Sequence, residues 1–420
     1  MSTSVLVTGC HQPLGHSLAR LAALLPDVRL WLAGTPAQHC DALCDTIRQD
    51  SPECHVHSVP PEDCLSPASM LTVSGAKLVL HAEGPFTQYT YQMAEACLAA
   101  GIPYIDAADR RTFMASFTGA LHPLALKAGV PLICGASTSS LSSALLDEIA
   151  PQFNHIRDVR VTVIPGVRSL RPGSQLATLL STVGRPMTVL RNGQKIREMS
   201  GRHLRKLSVP SVGRCSSMLC DMPDNETLPP RFPDLETLET RLALPGFLAP
   251  RAVWLLSHLR QGLQEESMPH PRGGQRPLTA AEQARLRRGQ RMMPWLLKRL
   301  ARGTSHAGGL IVEAHGDDSM GRPLTRVSSL IASAPEAAYL PILPVIALAR
   351  QCLEDRASLL PGAYTTPGLL PLRSYMAESK LVQVLLEREA QRTQIVPATI
   401  GNETPSKRSV AQTQRTPAAV

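Results

Sequence analysis

The chain has 420 residues and a net charge of +9, with 43% hydrophobic, 18% charged and only 4% aromatic residues. This length corresponds to two or three domains, and the composition excludes both a disordered chain and a collagen-like one. No apolar run reaches the roughly 18 residues that a membrane-spanning helix needs. No secretory or transit peptide is visible at the N-terminus, so we expect a cytoplasmic protein.

The positive charge is concentrated in two segments. Residues 251–303 contain 11 Lys and Arg against three Glu, and residues 391–420 contain four against one. The basic segment 251–303 has no recognised nucleic-acid motif, and we interpret it as solvated helix faces that could attract an anionic partner. We therefore expect no nucleic acid among the partners. Within this segment Thr279 and Glu282 form a capping box, which predicts a helix start.

Cysteine spacing does not indicate a metal site or a disulfide framework. The ten cysteines include no CxxC pair, and only Cys54 to His57 (CHVH) has spacing like that of metal ligands. A structural zinc site needs four ligands from two recognisable clusters, so we expect reduced thiols and no metal.

Strands and helices alternate over the first 150 residues. Short β-branched runs predict strands at 4–8, 28–33, 53–59, 76–82, 103–105 and 130–134. Helical periodicity predicts helices between them and after the last, at 15–25, 37–48, 64–73, 89–100, 115–128 and 139–150. This order is typical of a Rossmann-type doubly wound parallel sheet, in which every strand's carboxyl end meets one crevice.

The pattern changes after residue 151. Residues 159–164 alternate with period two, and Asn192-Gly193 between alternating arms predicts a hairpin. A second hairpin is predicted over 310–334. We therefore expect four parts: a Rossmann-type domain (1–148), an α+β domain with a mainly antiparallel sheet (149–339), a helical segment packing back on the first domain (340–390), and a disordered tail (391–420).

The first strand is followed by Gly9-Cys10-His11-Gln12-Pro13-Leu14-Gly15. The two outer glycines are spaced for a phosphate-binding turn, in which glycine allows the close approach of a pyrophosphate. The middle glycine is replaced by Gln12, and Pro13 lacks an amide donor. Both a dinucleotide site and a plain strand-to-helix turn remain open from these residues.

The end of the second strand normally distinguishes the two nicotinamide cofactors. An acidic residue there binds the ribose hydroxyls of NAD, and an arginine accommodates the 2′-phosphate of NADP. This chain has Gly34-Thr35, with neither. Thr35 could hydrogen-bond a ribose, but a small polar residue after a strand is commonly just part of a turn.

Three longer stretches are more specific: LVLHAEGPF (78–86), EACLAAGIPYIDAADRRTF (95–113) and ALKAGVPLICGASTSSLSSALLDE (125–148). They resemble the saccharopine dehydrogenase-like oxidoreductase family, in particular its uncharacterised bacterial members. Segments such as ATLLSTVGRPMTVLRNG and GTSHAGGLIVEAHG extend the resemblance over about residues 4–372. One departure is Thr138-Ser139-Ser140, where the family has Pro-Gly.

The resemblance implies an NAD(P)-binding domain, with NADP the expected cofactor and NAD the alternative. It places Gly9 and Gly15 in the phosphate turn, and at the following strand ends Gly84, Pro85, Phe86, Tyr104, Asp106, Asp109 and Gly135 to Ser137. These positions surround the switch-point crevice, where open α/β sheets bind ligands.

The catalytic group is the least defined part of the prediction. Asp106 could act as an acid or base, but a carboxylate at a strand end is more often a loop anchor or helix cap. His81 could donate a proton, but a histidine on a buried strand is more often a satisfied core residue.

Two functions follow. The first is an oxidoreductase that transfers hydride to or from a small carbonyl, imine or alkene between the two domains. The alternative is a catalytically degenerate binding or scaffold protein that uses the basic segment. The substrate and the oligomeric state, including a homodimer, are left open.

Overall fold

The computed structural model describes residues 2–84, 86, 91–166, 179–180, 182–246, 248–265, 307–355 and 359–395. Side chains are described throughout these ranges except at 256, 259–265 and 389–395. The predicted helix start at Thr279 therefore lies outside the described residues. So does most of the basic segment 251–303, apart from its first 15 residues.

The first sheet has seven parallel strands in the order β15-β6-β5-β4-β1-β2-β3. The strands are β1 (Thr3–Thr8), β2 (Val28–Ala33), β3 (His55–Ser58), β4 (Leu78–His81), β5 (Tyr104–Asp106), β6 (Pro131–Cys134) and β15 (Gly362–Thr365). Read from the β3 edge and without β15, the strands follow the order 3-2-1-4-5-6 of a dinucleotide-binding sheet. The predicted Rossmann-type architecture is confirmed.

Helices cover both faces of this sheet, because successive strand residues point to opposite sides. Val5 and Val7 belong to one apolar cluster, with α1 (Pro13–Ala22), α2 (Ala37–Asp50) and α6 (Thr138–Ile149). Leu6, between them, belongs to the other cluster. That second cluster contains residues of α3 (Pro67–Ser74), α4 (Gln92–Ala100) and α5 (Arg111–Ala128).

The second sheet is mainly antiparallel, as predicted, with the order β10-β11-β12-β7-β13-β14 and the β8–β9 hairpin attached to β12. Its strands are β7 (His155–Ile164), β8 (Pro186–Arg191), β9 (Gln194–Met199), β10 (Arg205–Val209), β11 (Gly213–Leu219), β12 (Thr237–Pro245), β13 (Gly308–Asp317) and β14 (Pro323–Ala332). Among the described strands of this sheet, only the β7–β12 pair is parallel. Both predicted hairpins form, and Asn192 and Gly193 have the positive φ values (50° and 73°) that the tight turn requires.

Helix α6 joins the two sheets. Its Leu141 and Leu145 share one core cluster with Val161 of β7 and Val312 of β13. Polar contacts reinforce this junction between the sheets. Arg231 binds Asp147 of α6 at 2.9 Å, and Asp224, at the start of α7 (Asp224–Thr227), accepts a hydrogen bond from the Ser142 hydroxyl. Because α6 packs on both sheets, the crevice of the first domain is held against the second domain.

Beyond β12 the chain forms α8 (Leu248–Glu265) and, after β14, α9 (Ala334–Ala337) and α10 (Leu343–Glu354). The chain then returns to the first domain. Helix α10 packs against β4, β5 and α1, and β15 pairs with β6 as the seventh parallel strand. Segment 340–390 therefore contains a strand, whereas the sequence predicts only helix there. The four residues of β15, GAYT, are too few to show a strand period.

The last described elements are α11 (Leu372–Ala377) and α12 (Ser379–Ile395). Helix α12 extends five residues into the segment 391–420 that was predicted to be disordered, and residues 396–420 lie outside the described ones. Helix α12 contacts both α1 and α2. Its Arg388 donates hydrogen bonds to the Asp50 carbonyl at 2.6 Å and to the Ser51 hydroxyl at 2.7 Å.

All ten cysteines are free thiols, and every one except Cys64 is buried. Burial raises the pKa of Cys44 to about 12 and that of Cys54 to about 11, which makes both poor nucleophiles. Among the described residues, no cluster of His, Cys, Asp or Glu is arranged to hold a metal ion. The described helices also include none that is long and apolar enough to cross a bilayer.

We predict that Asp50→Ala lowers the free energy of unfolding by about 3 kcal/mol. Arg20 and Asp50 form a 2.6 Å ion pair with side chains only 7% and 4% exposed, so the substitution removes a buried carboxylate partner of the Arg20 guanidinium. Denaturant titration followed by circular dichroism measures the change. The matched control is Asp45→Ala on the same helix. Asp45 and its partner Arg48 are 69% and 53% exposed, so this change should stay within about 0.5 kcal/mol. Equal effects of the two variants would contradict the prediction.

Candidate functional site

The turn between β1 and α1 can be formed only with glycine at both ends. Gly9 has a φ of +74°, and a Cβ there would lie 2.7 Å from the carbonyl carbon of Ala82. A Cβ at Gly15 would collide with the carbonyl oxygen of Gly9. These contacts press the start of α1 against the carboxyl ends of β1 and β4. The two outer glycines of the predicted phosphate turn therefore have the close-packing role that such a turn needs.

The side chain of Gln12 spans the crevice above this turn. Its Nε2 donates to the carbonyl oxygen of Gly84 at 2.6 Å, and its Oε1 accepts from the Gly84 N–H at 3.1 Å. Gln12 thus ties the β1–α1 turn to the loop after β4. Pro13 occupies the first turn of α1 and removes one of the amide donors that would face an anion.

His11 covers the end of β2. Its Nδ1 accepts a hydrogen bond from the Thr35 N–H at 3.3 Å, and a Cβ at Gly34 would lie 2.8 Å from the same nitrogen. The backbone of Thr35 is therefore bound by the neighbouring turn, while the residue itself is exposed. Sequence reasoning missed His11, since only the tertiary structure brings it over β2.

His81 is held at the end of β4 as a neutral ring. Its Nδ1 lies 2.6 Å from the Thr8 hydroxyl, and its ring is 5.7 Å from that of Phe86 and 5.8 Å from that of Tyr104. Burial lowers the pKa of His81 to about 4, so the imidazole is uncharged near pH 7. This arrangement matches the satisfied core histidine that was one of the two interpretations from the sequence.

Asp106 is a loop anchor and is withdrawn from the crevice. It is fully buried, its Oδ1 accepts the N–H groups of Gly135 (2.7 Å) and Ala108 (2.9 Å), and its Oδ2 accepts the Tyr104 hydroxyl (3.0 Å). Burial raises the pKa of Asp106 to about 6 despite these donors. In this structure the Asp106 carboxylate holds the two loops together, as in the loop-anchor interpretation, and its cofactor contact and its role as acid or base stay predictions.

The loop after β6 is fixed by the same anchor. Gly135 has a φ of +81°, and any Cβ there would collide with the side chain of Met114. The Ser137 hydroxyl donates to the carbonyl oxygen of Ala108 at 2.9 Å, so it too is used inside the protein. The backbone of this loop, and not the Ser137 hydroxyl, is left to face a ligand.

The remaining predicted residues are divided between core and crevice. Phe86 is only 8% exposed and packs on Phe113 with ring centroids 5.3 Å apart, while Pro85 lies outside the described residues. Asp109 follows β5, and burial raises the pKa of its carboxyl to about 7.

A cavity of about 560 Å³ opens beside α1, between the two domains. One end is lined by His11, Gln12 and Thr138, next to the turn and the start of α6. Its walls come from α1, β7, β13, residues 334–341 and α12. The sequence showed no sign of this cavity, because its described walls come from parts of the chain that are far apart in the sequence.

The sequence matches no protein-family model, and it matches no curated protein. The fold is similar to that of apo saccharopine dehydrogenase (L-Glu forming) from Saccharomyces cerevisiae, with a TM-score of 0.56 and 12% identity over 94% of this chain and 98% of that one. An engineered D-amino acid dehydrogenase matches with a TM-score of 0.45 and 15% identity over 89% of this chain and 96% of that chain. The structure of C. glutamicum DAP dehydrogenase in complex with DAP matches with a TM-score of 0.42 and 14% identity over 90% of this chain and 98% of that chain.

The match to apo saccharopine dehydrogenase extends over both domains and confirms the expected resemblance at the level of the fold. The chain has the two-domain fold of saccharopine dehydrogenase over nearly its full length.

Proposed function

We propose that the protein is an NAD(P)-dependent oxidoreductase that transfers hydride to or from a small carbonyl, imine or alkene held between the two domains. The observation that carries the proposal is the β1–α1 turn. Its two glycine-restricted positions, Gly9 and Gly15, lie at the switch point of a 3-2-1-4-5-6 sheet.

The backbone of the crevice fits a dinucleotide better than its side chains do. The bare backbone at Gly9 and the start of α1 would hold the pyrophosphate, and Gly84 and Gly135 lie at the strand ends that would face the nicotinamide. When bound, such a cofactor supplies or accepts the hydride. The Gln12 bridge to Gly84 crosses this path, so a bound dinucleotide has to displace two hydrogen bonds.

We assign the supporting residues to positioning. Asp106 holds the loops after β5 and β6 together, and the Thr8 hydroxyl orients the neutral ring of His81. Near pH 7 the His81 ring is neutral, and the Asp106 carboxylate accepts three hydrogen bonds inside the protein, so we assign neither residue as the general acid. In this proposal the cofactor carries the chemistry, and the chain supplies orientation and excludes water.

The Gln12 bridge is also the observation that favours a second function. If the bridge is permanent, the fold serves as a binding or scaffold protein that has lost nucleotide binding. The two functions predict different responses when the bridge is removed.

We predict that Gln12→Gly tightens NADPH binding by about tenfold. The variant frees Gly84 and spares the ligand the loss of two hydrogen bonds, each worth about 0.5–1.5 kcal/mol. Thermal-shift and calorimetric titrations with NADPH, NADH and both oxidised forms measure the effect. Gln12→Ala removes the bridge but keeps a Cβ, so it separates hydrogen bonding from steric obstruction.

The control for this experiment is Gln194→Gly, an exposed position at the start of β9, which should leave nucleotide binding unchanged. Absence of any nucleotide response in both the native chain and Gln12→Gly would reject the oxidoreductase. The scaffold function would then be favoured.

We further propose NADP as the cofactor, because no acidic residue follows β2. We predict that Thr35→Asp weakens NADPH binding by about tenfold and leaves NADH binding unchanged or stronger. A carboxylate there would repel the 2′-phosphate and could bind the ribose hydroxyls of NADH. Calorimetry at low salt measures both affinities. Thr72→Asp is the control, since it adds the same charge at an exposed position on α3. An unchanged NADPH affinity in Thr35→Asp would show that the adenosine end does not lie at β2.

A further inference from the structure

Two cysteine thiols from separate elements meet at the carboxyl end of β2. Cys10 lies in the β1–α1 turn, directly after Gly9, and Cys40 lies in the first turn of α2. Each of the two cysteines is only 1% exposed. Their side chains share a hydrogen bond between the two sulfur atoms, so one thiol is in direct contact with the other.

The backbone around the two thiols fixes this contact. The Cys10 N–H donates to the carbonyl oxygen of Ala33, the last residue of β2, at 3.1 Å. The Cys40 thiol donates to the carbonyl oxygen of Gly34 at 3.7 Å. A Cβ at Gly34 would lie 3.0 Å from the His11 nitrogen and 3.2 Å from the Cys40 sulfur. Because glycine leaves this space free, the β1–α1 turn and the start of α2 pack closely enough for their thiols to touch.

The two thiols differ in acidity. The hydrogen bond from Cys10 lowers the pKa of the Cys40 thiol, and a position in the first turn of a 14-residue helix also favours a thiolate. Burial raises the pKa of the Cys10 thiol, and the Val7 carbonyl oxygen, 3.2 Å from its sulfur, is a second acceptor for its proton. Cys40 is therefore the thiol that ionises first, and Cys10 is the one that keeps its proton.

We propose that Cys10 and Cys40 are a redox-active pair that hydrogen peroxide converts into a disulfide, which joins the β1–α1 turn covalently to α2. A disulfide holds its sulfur atoms about 2.05 Å apart, closer than two thiols in contact, so its formation draws α2 toward the turn. This end of β2 is where the adenosine of the proposed dinucleotide would lie. The inference concerns the thiols alone and holds whether or not the chain binds a nucleotide.

The reaction has two steps. The Cys40 thiolate attacks one oxygen of hydrogen peroxide, so an S–O bond forms, the O–O bond breaks, and the leaving hydroxide takes up a proton to become water. The Cys10 sulfur then attacks the Cys40 sulfenic acid. The S–S bond forms, the S–O bond breaks, and the leaving hydroxide combines with the Cys10 proton as a second water. The two thiols together lose two electrons, which reduce the peroxide.

The test treats the reduced full-length protein with hydrogen peroxide, alkylates the remaining thiols with N-ethylmaleimide during denaturation, and maps disulfides by mass spectrometry after trypsin digestion. Cleavage after Arg20, Arg29 and Arg48 places Cys10 in one peptide and both Cys40 and Cys44 in another. We expect the two peptides to be joined, with a mass lower than their sum by two hydrogen atoms. Dithiothreitol should separate them again.

Serine variants separate the roles of the two thiols. Cys10→Ser and Cys40→Ser should each abolish the link between the peptides. The serine hydroxyl in Cys10→Ser can still donate to Cys40 but cannot attack a sulfenic acid, so the sulfenic acid should accumulate at Cys40, where dimedone traps it. Cys40→Ser should give no dimedone adduct at Cys10.

The matched control is Cys44→Ala. Cys44 is also 1% exposed and lies one turn further along α2, but burial raises the pKa of its thiol to about 12. This variant should form the link like the native chain, and its second peptide then contains Cys40 alone. Thermal melts establish that the three variants are folded, and the disulfide map of the native chain needs no variant.

Three results would overturn the proposal. The first is a peroxide-treated native chain in which Cys10 and Cys40 are both recovered as alkylated thiols. The second is a disulfide between Cys40 and Cys44 in place of the expected link. The third is a link that survives either serine substitution or is lost in Cys44→Ala. A dimedone adduct at Cys10 in Cys40→Ser would contradict the assignment of Cys40 as the attacking thiol.

Discussion

The close contact between the β1–α1 turn and the end of β4 is the constraint on which the rest of the site depends. Gly9 lies against the backbone of Ala82 and Glu83, and Gly15 lies against Gly9, so no side chain fits at either position. This contact places the start of α1 at the edge of the sheet. It also brings Gln12 within hydrogen-bonding distance of Gly84, 72 positions further along the chain. Both the crevice at this edge of the sheet and the bridge across it follow from the same packing.

Polar groups at this edge of the sheet are largely satisfied by one another. Gln12 binds Gly84, His11 binds Thr35, Thr8 binds His81, and the Asp106 carboxylate accepts three donors. Such a network stabilises the loops, because buried polar groups that lack a partner are costly. It also sets the condition for binding, since a ligand must replace hydrogen bonds that already exist. The fold thus provides the crevice in which we propose that a dinucleotide binds, and the Gln12 bridge determines whether a ligand can enter it.

The C-terminal segment completes the first domain. Strand β15 extends its sheet, and α12 packs on α1 and α2. Arg388 of α12 binds the carbonyl of Asp50, whose carboxylate pairs with Arg20, and Leu386 lines the cavity. The last described helix therefore packs beside the buried Arg20–Asp50 pair and contributes Leu386 to the cavity lining. The cavity beside α1 therefore has lining residues from near both ends of the chain.

The amino-acid sequence by itself determined the alternation of strands and helices, the doubly wound class of the first sheet, the hairpin at Asn192-Gly193 and the glycines of the first turn. These features depend on local periodicity and turn chemistry, which neighbouring residues specify. Only the tertiary structure decided that Asp106 is an anchor, that Gln12 reaches Gly84, that β15 joins the first sheet, and that Ser17, Leu310 and Leu386 line one cavity. The physical reason is that these contacts join residues far apart in the chain. Their partners are selected by long-range packing, which leaves no periodic signal in the sequence.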